Sequence, residues 1–563
     1  MADADTHFPS LAFPYVAHAD QRAATPPRHP VVIVGAGPVG LSLAIDLAQR
    51  GVPVVLLDND DRLSTGSRAI CFAKRTLEIF DRLGCGDRMV AKGVSWNVGK
   101  VFLRDREVYR FDLLPDAGHE RPAFINLQQY YVEGYLAQRA LALPLIDVRW
   151  KNEVVATEPH ADHVALTIAT PDGDYRLEAG FVIACDGSRS AVRRQLGLES
   201  TGRTFKDRFL IADVRMTHDA PAERWFWFDP AFHPNQSVLL HRQPDGVWRI
   251  DFQLGWDADP EQEKKPENIM PRVKALLAHS AMKDAEFTLE WASVYTFACQ
   301  RMARFRHGRV LFAGDSAHGV SPFGARGANS GVQDADNLGW KLAAVLQGRA
   351  PDALLDTYAS EREAAADENI RHSTRATDFI TPKSAVSRLF RDAVLALART
   401  QPFARTLVNS GRLSTPATLH GSPLNTPDVD AFEGAMVPGA AAADACVTRP
   451  DGREGWLLRH LGAGMTALVG ADDDTERTIR ALADDAAMDL TLVAIAPPQA
   501  SRRDVLVDRD GAVARRYDLQ PGTVVLLRPD AHVCARWRRP TGDQVRHAIA
   551  RALAMPAGRN RCR

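Results

Sequence analysis

The apolar positions near the amino terminus follow the order strand, helix, strand. The run Val31–Val34 predicts a short buried strand, and "LSLAIDLAQR" has the spacing of a helix that ends at Gly51. The next apolar run, "VPVVLLD", predicts a second strand that ends at Asp58. This order predicts a β-α-β unit with two parallel strands.

Two later apolar runs also end at an aspartate that stands next to a glycine. "FVIACDG" ends at Asp186 and Gly187, and "RVLFAGD" ends at Gly314 and Asp315. Ligands of parallel sheets bind outside the carboxyl ends of the strands. Together with the end of the first strand they make three strand ends, which predict one long ligand that lies across all of them.

Residues 200–300 alternate between apolar and polar positions. The stretches "RFLIADVRM", "SVLLHRQPDGVWRIDFQL" and "LEWASVYTFACQ" predict an antiparallel sheet with a turn at 243–246. A sheet inserted between ligand-binding segments predicts a roof over the ligand, and small molecules bind at such interfaces.

Composition and charge narrow the class of protein. The 563 residues are 45% hydrophobic and 25% charged with a net charge of −1, so we expect a globular protein without nucleic acid or membrane partners. We expect neither a membrane span nor a signal peptide. The seven cysteines, including Cys562, are scattered without a CxxC pair. This usage predicts a cytoplasmic protein without disulfides or a metal site.

The glycines after the first strand form a phosphate-binding pattern. Gly35, Gly37 and Gly40 give GxGxxG, in which the glycines permit a tight turn, close approach of a pyrophosphate, and helix-on-strand packing, respectively. Pro38 begins the helix whose amino terminus attracts phosphate, and Asp58 is placed to bind ribose hydroxyls. The pattern predicts a bound dinucleotide and leaves FAD and NAD(P) both open.

The GxGxxG, DG and GD motifs together resemble those of the FAD-dependent aromatic hydroxylases, which are single-component flavoprotein monooxygenases of the 4-hydroxybenzoate hydroxylase type. In that family the GD aspartate binds the ribityl chain and the following loop lies against the isoalloxazine ring. The DG motif helps to hold the cofactor and is implicated in the use of NAD(P)H. The resemblance implies that FAD is held by Gly35, Gly37, Pro38, Gly40, Asp58, Arg68, Gln128, Asp186, Gly187, Gly314, Asp315, Pro322, Gly327, Ala328 and Asn329.

One position departs from the family pattern. Many relatives read GQGxN where this chain reads "GARGAN" over residues 324–329, so Arg326 replaces a glutamine. An arginine here either stabilises the anionic reduced flavin or points to solvent or to a carboxylate, and these alternatives stay open. We count Arg326 among the catalytic candidates.

The stretch "RWFWFDP" is unusually aromatic. At strand spacing Trp225 and Trp227 share one face, and Phe226 and Phe228 share the other. Core packing fits this pattern, and so does an aromatic wall in which the two tryptophans contact a planar substrate. Flavin-dependent halogenases carry W-x-W-x-I-P, but Asp229 replaces the isoleucine here, which counts against halogenation.

Polar residues on the predicted strands are candidates for contact with a substrate. Arg249 and Tyr295 are candidate binding residues, together with Pro322 of the loop after the GD motif. Because attack on an aromatic ring is easier from a phenolate than from a phenol, a base or proton relay is needed. Asp213 and His241 are the candidates for that role.

The tail from about residue 420 has an order of strands and helices that resembles the thioredoxin-like C-terminal domain of phenol and (hydroxyphenyl)propionate hydroxylases. It lacks CxxC, so we do not expect disulfide exchange. The predicted fold is an α/β, Rossmann-like FAD-binding domain with an inserted antiparallel β-sheet substrate domain and a C-terminal thioredoxin-like domain. We place a loosely structured arm at 1–28, the FAD-binding domain at 29–200 and 301–420, the substrate domain at 201–300 and the tail domain at 421–563.

The resemblance implies an enzyme that hydroxylates a phenolic or related aromatic substrate with NAD(P)H and O2 through a flavin C4a-hydroperoxide. The substrate, the choice between NADH and NADPH, and a homodimeric state stay open. The alternatives are a flavin-dependent oxygenase of a larger polyketide or antibiotic substrate, a halogenase, and a non-catalytic dinucleotide-fold binding protein.

Overall fold

The structure, a computed structural model, describes residues 11–64, 68–218, 221–280, 282–408, 413, 415–500, 502 and 504–556. Part of the predicted amino-terminal arm and Cys562 lie outside these residues. Within them, no helix is long and apolar enough to cross a membrane. In the same ranges, no group of three or more His, Cys, Asp or Glu side chains is arranged to hold a metal ion.

The chain begins with a mixed region of strands and helices up to about residue 200. Its strands are β1 Arg28–Val34, β2 Val54–Leu57, β3 Cys71–Ala73, β4 Val94–Trp96, β5 Val98–Leu103, β6 Arg106–Asp112, β7 Phe124–Asn126, β8 Ile146–Arg149, β9 Glu153–Pro159, β10 Val164–Thr170 and β11 Gly173–Ala184. Its helices are α1 Pro38–Gln49, α2 Lys74–Arg82, α3 Gly86–Lys92, α4 Gln129–Leu141 and α5 Ala191–Gln195.

The middle of the chain is mostly strand, and the part after it is mostly helix. The middle elements are β12 Ser200–Thr204, β13 Arg208–Met216, β14 Arg224–Phe228, β15 Ser237–Arg242, β16 Val247–Leu254, α6 Pro260–Glu263, α7 Pro266–Ala278, β17 Phe287–Tyr295 and β18 Ala298–Met302. The elements after it are β19 Arg306–His307, β20 Val310–Phe312, β21 His318–Gly319, α8 Gly327–Leu346, α9 Leu354–Ile380, α10 Ala385–Ala398 and α11 Pro402–Val408.

The tail forms a sheet with helices on both faces. Its elements are β22 Cys446–Thr448, β23 Glu454–Trp456, β24 Met465–Gly470, α12 Asp473–Ala483, β25 Leu490–Ala496, β26 Leu506–Asp508, α13 Ala512–Tyr517, β27 Thr523–Leu527, β28 Val533–Arg538 and α14 Gly542–Ala552. The strand order is β23-β22-β26-β25-β24-β27-β28. One face packs on α13, and the other packs on α12 and α14.

The first large sheet brings the distant motifs together. Its main order is β19-β20-β11-β1-β2-β8, in which the five strands from β20 to β8 are parallel to one another and β19 is antiparallel to β20. The predicted β-α-β unit is present, with Val31 opposite Val54 and also opposite Phe181. The carboxyl ends of these five parallel strands therefore meet at one edge, although β20 follows β11 by more than a hundred residues.

The second large sheet has the order β17-β13-β16-β15-β14-β5-β6. It is antiparallel as predicted except that β14 pairs in parallel with β5, which comes from the earlier part of the chain. One face carries the apolar residues Leu210, Trp227, Leu240 and Ile250 and is covered by α7. The opposite face carries polar side chains and is directed towards the loop that follows β20.

The segment before β1 is packed more closely than the sequence indicated. Phe13 stacks on Trp150 with ring centroids 4.2 Å apart, and Ala12 forms a bridge with Arg62. Asp20 accepts hydrogen bonds from Arg149 at 2.6 Å and is 2.8 Å from His29. The prediction of a loose arm is wrong for residues 11–27, because an aromatic ring and a buried arginine attach this segment to the first sheet.

Candidate active site

The glycine turn between β1 and α1 has the geometry of a phosphate cradle. Gly35 has φ of +105°, and a Cβ there would lie 2.5 Å from the carbonyl oxygen of Cys185. A Cβ on Gly40 would lie 1.9 Å from the carbonyl oxygen of Gly35, so only glycine lets α1 approach the turn. A Cβ on Gly37, in contrast, would meet no atom of the described chain within 4 Å. The open side of the turn is therefore at Gly37, beside Pro38 in the first turn of α1.

Three aspartates stand at the strand ends around this turn. Asp58 accepts a 2.6 Å hydrogen bond from the amide of Ala36, and burial raises its pKa. Asp186 accepts from the amide of Val192 at 3.1 Å through Oδ2, while its buried Oδ1 has no partner. Asp315 is open to solvent at the bottom of a cleft. The surrounding protein raises the pKa of Asp315, against the charges of His318 and Arg68.

Gln128 and Arg68 border the same cleft from two loops. Gln128 caps α4 and is 1% exposed, and its Nε2 donates to the carbonyl oxygen of Pro244 at 3.2 Å. Its buried Oε1 has no hydrogen-bond partner in the structure. Arg68 is exposed, and its carbonyl oxygen accepts a 3.1 Å hydrogen bond from Arg249. This bond joins the cleft to the second sheet.

The loop after the GD motif is held by a network beneath it. His318 Nε2 is 2.7 Å from Asp334, which also accepts from the amide of Gly314 at 2.9 Å and from Arg362 at 2.6 Å. Burial alone would raise the pKa of Asp334, but His318 and Arg362 lower it overall. All three side chains are buried, so His318 acts here as a positioning residue.

The glycine-rich loop itself, residues 322–329, lies between the two sheets. Pro322 is exposed, Gly327 and Ala328 are half-buried at the beginning of α8, and Asn329 is buried. Asn329 accepts from the amide of Ala73 at 2.8 Å and donates to the carbonyl of Cys71 at 2.9 Å, which ties the loop to β3.

Arg326 is 5% exposed, so its guanidinium does not point to solvent. The guanidinium packs against the backbone of its own loop. A Cβ added to Gly324 would lie only 1.8 Å from Nη1 of Arg326. Arg326 also lines the cavity described next.

A cavity of about 560 Å³ opens beside this loop. Such a volume lies within the range of small-molecule sites, which is roughly 300–1,000 Å³. The loop contributes Phe323 and Arg326, β14 contributes Arg224, Phe226 and Phe228, and α9 to α11 form the far side. The cavity walls are mainly apolar and aromatic, which suits a planar ring.

The polar face of the second sheet carries the four predicted residues Asp213, His241, Arg249 and Tyr295, together with an acid that was not predicted. Asp213 binds Arg249 through both carboxylate oxygens, at 2.8 and 2.7 Å, and both side chains are buried. His241 is buried, and its Nε2 lies 3.8 Å from Asp251. Burial, together with the charges of Arg224 and Arg249, lowers the pKa of His241 well below its usual value.

Asp251 and Arg224 belong to this site but were not predicted from the sequence. Burial raises the pKa of Asp251 to about 6, against the opposing charge of Arg249. Arg224 is 6% exposed and begins the aromatic strand. The signal that could have found them is the period-two placement of Arg249 and Asp251 in β16, which puts them on one face.

Tyr295 and the two tryptophans occupy different places. Tyr295 is half-buried on the polar face, 6.1 Å from the ring of Phe209, and burial raises its pKa well above its usual value. Trp225 and Trp227 share one face of β14, as predicted, but that face packs on the core under α7. The rings of β14 that line the cavity are those of Phe226 and Phe228.

These features fit a bound flavin dinucleotide. The open side of the turn at Gly37 has room for a pyrophosphate, and the unpartnered oxygens of Gln128 and Asp186 are polar groups that a ligand would satisfy. Asp315 presents an exposed carboxylate, and Phe323 and Arg326 of the loop that follows it line the aromatic cavity. The fold and the site define the class of flavin-dependent monooxygenases.

Comparison with known proteins agrees with this class. The FAD binding domain family matches residues 28–373, and the chain belongs to that family. The chain is 31% identical to 6-methylpretetramide 4-monooxygenase of Streptomyces rimosus, with 90% of this chain and 91% of the relative covered. It is 29% identical to 3-(3-hydroxy-phenyl)propionate/3-hydroxycinnamic acid hydroxylase of Mycolicibacterium smegmatis, with 89% of each chain covered.

Among solved structures, the flavin-dependent monooxygenase PieE in complex with FAD and substrate has a TM-score of 0.78 at 24% identity, with 94% of this chain and 100% of that chain covered. This likeness confirms an FAD-binding monooxygenase fold. The chain is an FAD-dependent aromatic hydroxylase. The halogenase and the non-catalytic binding protein are not favoured.

Proposed function

We propose that the enzyme hydroxylates a phenolic ring held in the cavity between the glycine-rich loop and the polar face of the second sheet, using NADH or NADPH and O2. The observation that carries this proposal is the position of the cavity, which Phe323 and Arg326 of the loop and Phe226 and Phe228 of the sheet line together. When bound, FAD supplies the redox chemistry, taking electrons from the nicotinamide nucleotide and activating O2.

The residues of the chain position the ring and keep water away from it. Phe226, Phe228 and Phe323 offer apolar surfaces to a planar substrate. The buried guanidinium of Arg326 stabilises negative charge that develops beside the loop. Asp315 would accept hydrogen bonds from hydroxyl groups of the cofactor, and Gln128 and Asp186 would offer it their unpartnered oxygens.

Removal of the phenolic proton is assigned to Asp251 and His241 rather than to Asp213. Both carboxylate oxygens of Asp213 are occupied by a bidentate ion pair with Arg249, so neither is directed at a substrate. Asp251 has a pKa raised to about 6, close to the value that suits a base near neutral pH. His241 stays uncharged, and its Nε2 lies 3.8 Å from Asp251, so a small rotation of either side chain would bring the two into hydrogen-bonding distance for a relay.

Other parts of the proposal rest on the sequence pattern. The tail has the order of elements expected of a thioredoxin-like domain without CxxC, and its role would be structural or in contacts between subunits of a homodimer. The scattered cysteines favour the cytoplasm. The domain boundaries remain the predicted ones, with β5 and β6 added to the substrate sheet.

The test is oxidation of NADH and of NADPH by the purified yellow protein, with and without a panel of phenols, while hydrogen peroxide is quantified. Strong stimulation by one phenol, with little peroxide and a hydroxylated product, is the expected result. A yellow protein whose NAD(P)H oxidation is unchanged by every phenol, or whose electrons all appear as peroxide, would contradict the proposal.

A further inference from the structure

Arg224 is a buried arginine for which the structure shows no anionic partner. Its side chain is 6% exposed, and its Nε has no hydrogen-bond partner. Among the described residues, no carboxylate forms an ion pair with its guanidinium. Two neighbouring cations, in contrast, have carboxylate partners: Arg249 binds Asp213 at 2.7 Å, and Lys100 binds Glu223 at 2.6 Å.

The surroundings of Arg224 hold one carboxylate, Asp251, which attracts the guanidinium but forms no ion pair with it. Burial lowers the pKa of Arg224, and the opposing influences come from Cys71, Asp251 and Tyr295. The thiol of Cys71 and the phenol of Tyr295 are themselves kept neutral by burial, which raises both of their pKa values. Because an unpaired buried charge is strongly unfavourable, a partner from outside the chain would stabilise this site.

The cavity is the place from which such a partner would come. Arg224 lines it beside the rings of Phe226 and Phe228, and Phe323 of the glycine-rich loop lies in the same wall. A ligand here would therefore combine an aromatic body with an anionic group. The planar guanidinium matches a carboxylate through two parallel hydrogen bonds, which a single phenolate oxygen does not offer.

We propose that Arg224 binds the carboxylate of the aromatic substrate and selects aromatic acids over neutral phenols. The inference rests on the proposed function in that it concerns the same cavity, and it adds the class of substrate and the residue that determines it. Arg224 is a binding residue at the end of the cavity, and the ring lies between its guanidinium and the loop.

The experiment measures binding to the yellow holoenzyme without NAD(P)H, through the change in flavin absorbance. The probes are hydroxylated aromatic acids, such as 3-(3-hydroxyphenyl)propionate, each paired with its methyl ester. The acids should bind at least about tenfold more tightly than the esters to the unaltered enzyme. Arg224→Met should remove this difference by weakening the acids alone, and Arg224→Lys should keep part of it.

The matched control is Arg104→Met, an exposed arginine next to β5, which should leave both affinities unchanged. A second readout needs no ligand: Arg224→Met should not lower the thermal midpoint of the holoenzyme, because it removes an unpaired buried charge. Equal affinities for acids and esters, no binding by any acid, or a clear loss of stability in Arg224→Met would overturn the inference.

The outcomes separate this inference from the proposed function. Preference for acids that depends on Arg224, without stimulation of NAD(P)H oxidation, would support Arg224 as the carboxylate-binding residue and contradict hydroxylation of those acids. Coupled hydroxylation of neutral phenols with no preference for acids would support the proposed function and contradict the role of Arg224 as a carboxylate-binding residue.

Discussion

At the scale of the residue, two buried carboxyl groups on neighbouring strands differ because their partners differ. Asp213 on β13 is satisfied by Arg249, which forms two short hydrogen bonds to it. Asp251 on β16 has His241 3.8 Å away, and burial raises its pKa to about 6. Asp213 therefore holds Arg249 in place, whereas Asp251 changes its protonation state near neutral pH.

Asp251→Asn should make the enzyme more stable and less active at neutral pH. A carboxyl whose pKa is raised by folding binds more protons in the native state, so its contribution falls as pH rises from about 4 to about 6. Removing the charge should add up to about 3 kcal/mol to the free energy of unfolding at pH 7. The measurements are urea unfolding at several pH values and the pH profile of kcat.

The profile of kcat should lose its acidic limb near pH 6 in this variant, because the proton acceptor is gone. Asp257→Asn, an exposed acid in the loop after β16, is the control and should change neither curve. If Asp251→Asn had the same pH dependence of stability as the unaltered enzyme, the raised pKa of Asp251 would be refuted.

At the scale of the element, one face of each strand or helix decides its role. In β14, alternation sends Trp225 and Trp227 to the core under α7 and sends Phe226 and Phe228 to the cavity. The sequence predicted the two faces but not which one meets a substrate. In α1, the small residue Gly40 lets the helix lie against the turn, so the helix begins where a phosphate would be held.

Alanine at Gly37 and at Gly40 should therefore give different results. Gly37→Ala should reduce FAD content while leaving the stability of the flavin-free protein unchanged, because its Cβ meets no protein atom. Gly40→Ala should lower both the FAD content and the stability of the flavin-free protein, since its Cβ would lie 1.9 Å from a carbonyl oxygen. Flavin absorbance per protein and the thermal midpoint of the flavin-free protein measure the two effects.

Gly255→Ala, in an open and exposed position, is the control for this pair. Full FAD content in Gly37→Ala would mean that the pyrophosphate does not lie on the open side of the turn.

At the scale of the whole molecule, buried charges join the tail to the flavin-binding part. Glu361 of α9 binds Arg528 at 2.6 Å and Lys341 at 2.7 Å, and Arg528 also binds Asp530 at 2.7 Å. All four side chains are buried. Burial would raise the pKa of Glu361, but Arg528 and Lys341 hold it far below its usual value. This network makes the tail part of the same folded body.

Glu361→Gln should destabilise the protein strongly. It leaves Lys341 and Arg528 without their shared anion in a buried site, and breaking one partner of a buried ion pair costs about 3–5 kcal/mol. The urea midpoint, followed by flavin fluorescence, should fall and cleavage in limited proteolysis should rise. Glu107→Gln breaks an exposed pair with Arg110 and should change the free energy of unfolding by less than about 1 kcal/mol. Equal effects of the two changes would contradict a structural role for the network.

Part of the fold and of the site could be predicted because the signals are local. The β-α-β unit with its glycines, the strands that lead to Asp186 and Asp315, and the alternation in residues 208–254 each depend on a short stretch of chain. Physical chemistry links such stretches directly to backbone geometry, through turn requirements and the two periodicities of helix and strand. These stretches, with the family resemblance that they carry, were enough to identify a flavin-dependent hydroxylase.

The tertiary structure alone decided which polar residues meet and which are buried. In the sequence, Arg224, His241, Arg249 and Asp251 have the pattern of solvent-facing strand residues. They are buried because distant segments cover that face: the glycine-rich loop and α9 to α11 surround Arg224, and residues 68–71 contact His241 and Arg249. A sequence pattern shows the face that a side chain occupies but not what covers it. Charge pairing, desolvation and the size of the cavity depend on those distant segments, so they appear only when the chain is folded.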